Sequence, residues 1–235
     1  YKLSIGNNNF RTHSTSIGKN LINIKDLSIL EAPIILQLSA FIRDNLAFGK
    51  GRHLLSYYIY DLVKKIILGR QRLFEDKIHK QISNIIEGKV YFSEEHDSFV
   101  FSDENNNAFD ISNAASGIKS FGLLQLLMAA EAINKDSFLV IDEPEVHLHP
   151  EWQLEYAKVL VELVKNGVPI LIASHSPYFV EALKVYSDKE GISERTNFYL
   201  GEKGETGTVF KDVTNNLDLL FEKFSAPMIK LIIDK

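Results

Sequence analysis

The chain has 235 residues, of which 45% are hydrophobic and 24% are charged, and its formal net charge is −5. A chain of this length and composition can form one or two packed domains, and its acidic balance argues against a uniformly basic surface for nucleic acid. The lack of cysteine excludes disulfides and thiolate metal sites, and the lack of an apolar run long enough to cross a membrane leads us to expect a cytoplasmic protein without a membrane partner.

The first 88 residues carry patterns for a β-layer and a helical segment. Residues 1–24 alternate in polarity around the turn signal at 6–9, which predicts a strand and a returning strand at 10–16, the remnant of an N-terminal β-layer. Residues 25–88 show apolar residues at helical spacing, and we interpret them as a helical insertion or lid. The three predicted helices span residues 28–45, 52–68 and 70–86.

Residues 89–235 predict a small antiparallel β meander and then a lobe in which strands and helices alternate. Polar turns at 94–97 and 103–107 separate three meander strands, predicted at 89–93, 98–102 and 108–111. Alternating strands and helices are typical of a parallel sheet with flanking helices, so we predict an α/β fold. The further predicted elements are a helix from 116 to about 134, a strand at 137–142, a helix at 151–166, a strand at 168–174, a helix at 177–185, hairpin strands at 196–200 and 208–211, and a helix at 217–224.

The strand at 137–142 runs directly into two adjacent carboxylates, Asp142 and Glu143. Open α/β sheets bind ligands beyond the carboxyl ends of their strands, so both carboxylates are expected to project into a ligand site. At such a place one acidic residue can hold the Mg²⁺ that bridges nucleotide phosphates, and a second can orient the attacking water. The alternative is an acidic turn that only caps the next helix.

Two further elements, a helix start and the end of a second strand, supply candidates for the same site. Ser116 and Gly117 open an apolar helix, whose free backbone N–H groups and dipole attract anions, while the glycine lets a phosphate approach. His175 follows the second buried strand, where it would face the ligand crevice. The alternatives are that Ser116 is an ordinary helix cap and that His175 is a structural histidine.

The order of these elements resembles that of the ABC-type ATPases: first the helix start, then the strand ending in Asp-Glu, then the strand ending in His. The chain is most similar to the RecF/SMC/OLD-like branch, which includes the AAA_21-like ATPase domains, and residues 143–150 match its E-P-E-x-H-L-H-P stretch. The resemblance implies a P-loop NTPase fold and a homodimer that sandwiches ATP head to tail. It also implies residue roles: Ser116, Gly117 and Lys119 as signature residues for the ATP of the opposite subunit, Asp142 as the Mg²⁺ ligand, Glu143 as the catalytic base, and His175 as the γ-phosphate sensor.

The resemblance further implies nucleic-acid-related work, such as DNA repair or phage defence, with DNA or a nuclease as partner. The phosphate-binding pattern G-x-x-x-x-G-K-[ST], the Walker A loop, does not occur in these residues. Because this loop supplies the N–H cradle and the lysine for the phosphates, we predict that the 235-residue chain alone is inactive. The chain begins at Tyr1 rather than at a methionine, so we expect the loop to precede it.

Two other functions stay open at this point. The first is a metal-dependent hydrolase that uses Glu145, His147 and His149, since zinc sites use such residues and the two histidines could point the same way. However, the sequence shows no further ligand with recognisable spacing and no H-E-x-x-H pattern. A non-catalytic scaffold for dimerisation or partner binding is the other alternative. The adjacent pair of Asp142 and Glu143 argues against a scaffold, which has no need for both carboxylates.

Overall fold

The structure is a computed structural model that describes residues 4–5, 8–9, 24–31, 36, 56–69, 76–146 and 148–233. It is a mixed α/β fold with a three-stranded parallel sheet, a three-stranded antiparallel meander and a C-terminal hairpin. Near the start, β1 (Ser4–Ile5) and β2 (Asn8–Asn9) form a short antiparallel pair. The predicted returning strand at 10–16 lies outside the described residues.

Two of the predicted insertion helices are present, α1 (Tyr57–Gly69) and α2 (Lys77–Ile86). Asp76 caps α2 by accepting a hydrogen bond from the backbone N–H of His79 at 2.7 Å. The buried residues of α2, Ile78, Ile82 and Ile86, recur every four positions and form its core-facing stripe. The predicted helix starts at 52 and 70 lie outside the described residues.

The antiparallel meander is confirmed, with strand bounds within two residues of the prediction. It consists of β4 (Gly88–Ser93), β5 (Ser98–Asp103) and β6 (Ala108–Asp110), paired in that order. Phe92 and Phe99 lie opposite each other across the first pair, with ring centroids 5.3 Å apart in an edge-to-face arrangement. Such cross-strand aromatic pairs fix the register of neighbouring strands.

The α/β lobe forms the parallel sheet, which consists of β3 (Asp26–Leu30), β7 (Ser137–Asp142) and β8 (Ile170–Ala173). Strand β7 lies in the middle, with β3 on one side and β8 on the other. Three helices accompany them: α3 (Ser116–Ala129), α4 (Pro150–Lys165) and α5 (Pro177–Lys189). All three strands run in the same direction, so their carboxyl ends meet at one edge of the sheet.

The predicted helix at 28–45 is wrong at its start, because residues 26–30 form β3. They pair with β7, Leu30 is 2% exposed within the main hydrophobic core, and Lys65 of α1 donates to the backbone carbonyl of Leu27 at 2.7 Å. A five-residue segment with three apolar residues fits a strand or a helix equally well by periodicity, and the partner strand that decides between them lies far away in sequence. Residues 26–30 therefore belong to the sheet, and not to a helical insertion.

Helix α3 lies at the centre of the core and is buried on nearly all sides. Phe121 is fully buried, with its ring centroid 5.6 Å from that of Trp152 and 5.0 Å from that of Tyr156, both on α4. Burial raises the pKa of Tyr156 above its ordinary value, so its phenol stays neutral. Gly122 lets α3 approach the meander, since a Cβ there would lie 2.4 Å from Cγ2 of Val90.

We expect Phe121→Ala to lower the free energy of unfolding by about 3–5 kcal/mol, because it removes a fully buried ring and leaves a cavity between α3 and α4. Urea unfolding of the 235-residue chain measures the change. Phe109→Ala is the matched control, because Phe109 is 40% exposed and pairs only with Phe101 among the described aromatic rings. The control should cost about 1 kcal/mol or less; equal losses in the two variants would contradict the central place of α3.

The chain continues into β9 (Tyr199–Lys203), β10 (Thr208–Asp212) and α6 (Asp218–Ile233). The hairpin is confirmed, but α6 extends nine residues beyond the predicted end at 224 and includes Pro227. A second small core of Val180, Val213 and Leu220 joins this part of the chain to α5. Within the described ranges, no helix is both long enough and apolar enough to cross a membrane.

Candidate active site

The Asp-Glu pair and the histidine are brought together at one edge of the parallel sheet. Asp142 is the last residue of β7 and pairs with Ala173, the last residue of β8. The backbone N–H of Glu143 donates to the carbonyl of Ala173 at 2.9 Å and extends this pairing by one residue. The loop after β7, residues 143–149, and the loop after β8, residues 174–176, therefore start side by side; we call them the acid loop and the histidine loop.

Glu143 and His175 are in contact, with 3.2 Å between Oε1 of Glu143 and Nε2 of His175. Both side chains face solvent, at 45% exposure for Glu143 and 83% for His175. The backbone of Glu143 has φ of 48°, in the left-handed region. Non-glycine residues rarely adopt this conformation, and those that do are enriched at active sites.

Asp142 suits a magnesium ion by its chemistry and position. Its carboxylate is exposed at the end of β7, directly before Glu143. Magnesium prefers oxygen ligands and usually keeps several waters, binding through one or two carboxylates together with substrate phosphates. Among the described residues, no group of three or more acidic or histidine side chains is arranged to hold a metal ion by itself. A single exposed carboxylate at the end of a strand fits that mode of binding.

Glu145 has a role that we did not predict from the sequence. The residue is 8% exposed, and its Oε1 accepts three hydrogen bonds from the histidine loop. The donors are Ser174 Oγ at 2.8 Å, the backbone N–H of His175 at 2.7 Å and the backbone N–H of Ser176 at 3.0 Å. The acid loop is thus tied to the histidine loop through one buried carboxylate. The only sequence signal was the second glutamate of the E-P-E stretch, which gives no indication of its partners.

Ser116 is the first residue of α3, and Ala115 occupies the position that caps the helix. Ala115 makes no side-chain cap hydrogen bond. The alternative of an ordinary serine cap is therefore not what the structure shows. The side chain of the cap residue therefore does not engage the first-turn N–H groups of α3, which is compatible with an anion-binding helix start.

Gly117 is buried against α4 within the same chain. A Cβ at this position would lie 2.3 Å from Cε3 of Trp152, so no larger residue fits without displacing the indole. The sequence pattern predicts that the glycine serves the close approach of a phosphate. In this structure the packing of α3 on Trp152 already accounts for it.

Lys119 is 6% exposed, and its Nζ donates to the carbonyl of Ser112 at 2.8 Å. Ser112 belongs to a short 3-10 helix that Asp110 caps, since the Asp110 carboxylate accepts from the Ser112 backbone N–H at 2.8 Å. Burial opposes ionisation of Asp110, but its hydrogen bonding with Ser112 and the charge of Lys119 outweigh the effect of burial. The pKa of Asp110 therefore lies below its ordinary value. Lys119 thus anchors the start of α3 to the segment before it.

Comparison with known proteins gives one broad and several partial similarities. Residues 16–181 match the model of the AAA_21 family, described as "AAA domain, putative AbiEii toxin, Type IV TA system". A segment is 33% identical over 79 residues to Protein ea59 of Escherichia phage lambda, covering 30% of this chain and 15% of that protein.

Similar solved structures include two SMC head domains. That from Thermotoga maritima has 14% identity and a TM-score of 0.43, covering 79% of this chain and 53% of that chain. The Smc head domain with a coiled coil and joint from Pyrococcus yayanosii has 9% identity and a TM-score of 0.47, covering 82% of this chain and 35% of that chain. This chain therefore spans 53% or less of the length of each of these relatives.

Proposed function

Because the chain belongs to the AAA_21 family of AAA domains, we propose that it is the signature-bearing part of an ATPase that hydrolyses ATP in a head-to-tail homodimer. The observation that best supports this function is the 3.2 Å contact between Glu143 and His175 at the ends of two adjacent parallel strands. Asp142, one residue before the base, completes a set that can bind a metal, activate water and contact a phosphate.

In this proposal the three side chains divide the chemistry. Asp142 holds Mg²⁺, which when bound neutralises charge on the phosphates. Glu143 accepts a proton from the attacking water or orients it, and its contact with His175 limits the positions that its carboxylate can take. His175, with its ring 83% exposed, is accessible to a γ-phosphate, to which a ring N–H can donate.

The start of α3 serves the opposite subunit in the proposed dimer. Its first-turn N–H groups, at Ser116 and Gly117, donate to the γ-phosphate of ATP held by the partner, supported by the positive end of the helix dipole. Lys119 is engaged by Ser112, so we assign it the positioning of this helix start and not a direct contact with ATP. In the proposed dimer, ATP joins two subunits only when one subunit holds the nucleotide and the start of α3 of the other subunit contacts its γ-phosphate.

The work driven by hydrolysis is proposed to be nucleic-acid related, either DNA repair or phage defence, in the cytoplasm. The support is the sequence resemblance of residues 113–183 to the RecF/SMC/OLD-like branch. DNA or a nuclease is accordingly the proposed partner.

The alternative of a metal-dependent hydrolase has less support. It requires Glu145 as a ligand, but the described hydrogen bonds commit Oε1 of Glu145 to the histidine loop. His149 precedes α4 at its cap position, and His147 lies outside the described residues. An ATPase uses the observed arrangement without moving Glu145.

The proposed function predicts a clear difference between this chain and the protein expressed from its complete gene. The 235-residue chain should give a flat titration with Mg-ATP in calorimetry and no phosphate release, because it lacks the phosphate-binding loop pattern. The protein from the complete gene should bind and hydrolyse ATP. Micromolar binding by the 235-residue chain would show that another loop holds the phosphates, and a complete protein without ATP turnover would contradict the proposed ATPase.

A further inference from the structure

We infer that Glu145 is a positioning residue of the site, which holds the histidine loop in register with the acid loop so that His175 and Glu143 stay in contact. The inference rests on the proposed function, because it takes these two side chains to act together on ATP. Neither the family match nor the sequence resemblance assigns a role to Glu145.

The hydrogen bonds of Glu145 fix the backbone on both sides of the His175 side chain. Oε1 accepts from the N–H groups of His175 and of Ser176, at 2.7 and 3.0 Å. It also accepts from the hydroxyl of Ser174 at 2.8 Å, so all three residues of the histidine loop converge on one oxygen atom. Hydrogen bonds to a charged acceptor are about twice as strong as neutral ones, and burial protects them from screening.

The side chain of His175 has little else to define its orientation. Its ring is 83% exposed, and the described ion pair of that ring is with Glu143. An exposed ring that is not packed takes its direction mainly from its backbone. A loop released by loss of Glu145 would therefore let the ring leave Glu143, although neither residue had been altered.

A second, indirect connection joins the same two loops. The hydroxyl of Ser176 donates to Oε1 of Gln153 at 2.8 Å, and Nε2 of Gln153 donates to the carbonyl of Leu148 at 3.2 Å. The Ser176 hydroxyl also caps α5 by accepting from the N–H of Phe179 at 3.2 Å. These neutral bonds keep the folded framework together, so removal of Glu145 should affect the alignment of the site more than the stability of the fold.

Two substitutions of Glu145 separate alignment from packing. Glu145→Ala removes the acceptor, and in the protein from the complete gene ATP turnover should fall about 100-fold, as expected for misplaced catalytic groups, while ATP binding is unchanged. Glu145→Gln should retain more activity than the alanine variant. Its carbonyl can replace Oε1, and its amide can take the place of Oε2, which has no hydrogen-bond partner among the described residues. Glu151→Ala, at an exposed glutamate of the first turn of α4, is the control and should leave turnover unchanged.

Nuclear magnetic resonance of the 235-residue chain tests the same inference without ATP. Glu143→Gln should shift the ring signals of His175 when Glu145 is present, because the two side chains touch. In a Glu145→Ala background the same change should have little effect on those signals, and in a Glu145→Gln background the effect should be intermediate. The Glu145→Gln background replaces the alanine background in this test if the alanine variant does not fold. Equal shifts in all three backgrounds would overturn the inference, as would turnover that falls only in proportion to the folded fraction. If the complete protein does not hydrolyse ATP, the proposed function fails, but these shifts still decide whether Glu145 aligns the pair.

Discussion

Glu143→Gln is expected to lower ATP turnover by about 100- to 10,000-fold in the protein from the complete gene, the usual contribution of a general base. Glutamine has the same shape as glutamate but cannot take the proton of the attacking water. Asp142 and the start of α3 are untouched, so ATP binding and ATP-dependent association should persist or become stronger, because the dimer forms and cannot reset. Phosphate release, together with size-exclusion chromatography with and without ATP, measures both effects.

The control for this variant is Glu151→Gln, which makes the same chemical change at an exposed glutamate in the first turn of α4. It should leave turnover and association as they are. Equal turnover in the wild type and in Glu143→Gln would refute the assignment of Glu143 as the base. Loss of ATP binding along with turnover would instead give Glu143 a part in holding the nucleotide.

Ser116→Arg is expected to abolish ATP-dependent association and hydrolysis while each subunit still binds ATP. The arginine would occupy the helix start that the proposed dimer places against the γ-phosphate of the opposite subunit. If Ser116 had no role beyond its own helix, the change would alter the free energy of unfolding by about 1 kcal/mol or less, because Ala115 and not Ser116 caps α3, and association would stay intact. Thermal unfolding and chromatography with ATP distinguish these outcomes, and full ATP-dependent dimerisation of the variant would refute the role across the dimer.

A mixing experiment makes the Ser116 test independent of overall folding. The second variant replaces the lysine of the phosphate-binding loop that the proposed function requires in the complete protein, and so would damage the opposite face. When the two inactive variants are mixed, both defects can fall in one composite site, and the other site of the same dimer is then intact. Turnover should therefore reappear in the mixture, and a mixture as inactive as its parts would argue against shared sites.

The elements with local signals were predicted well from the sequence. The meander follows from polar turns between short alternating strands, and its strands lie within two residues of the predicted bounds. The strand ending at Asp142 and the helix starting at Ser116 were also found, because an apolar run bounded by polar residues is a local pattern. The meeting of Glu143 and His175 followed from one general rule, that parallel strands end at the same edge of a sheet.

The features that were missed depend on distant partners. Residues 26–30 form a strand because they pair with β7, where Asp26 lies opposite Ser137. Gly117 contacts Trp152 on another helix, and Glu145 binds the loop after β8. No local pattern reports such contacts, since they arise only when the sheet and its helices assemble.

The left-handed backbone of Glu143 means that the residue best for stability at this position is not the residue that the proposed reaction needs. A φ of 48° is unfavourable for any residue with a Cβ, and glycine adopts it at little cost. For a more stable protein, glycine would be the better residue at this position, and the same change would remove the base. A screen of random variants for stability would therefore select glycine at position 143 and lose the proposed activity. A screen for activity would retain glutamate there, although the backbone conformation disfavours it.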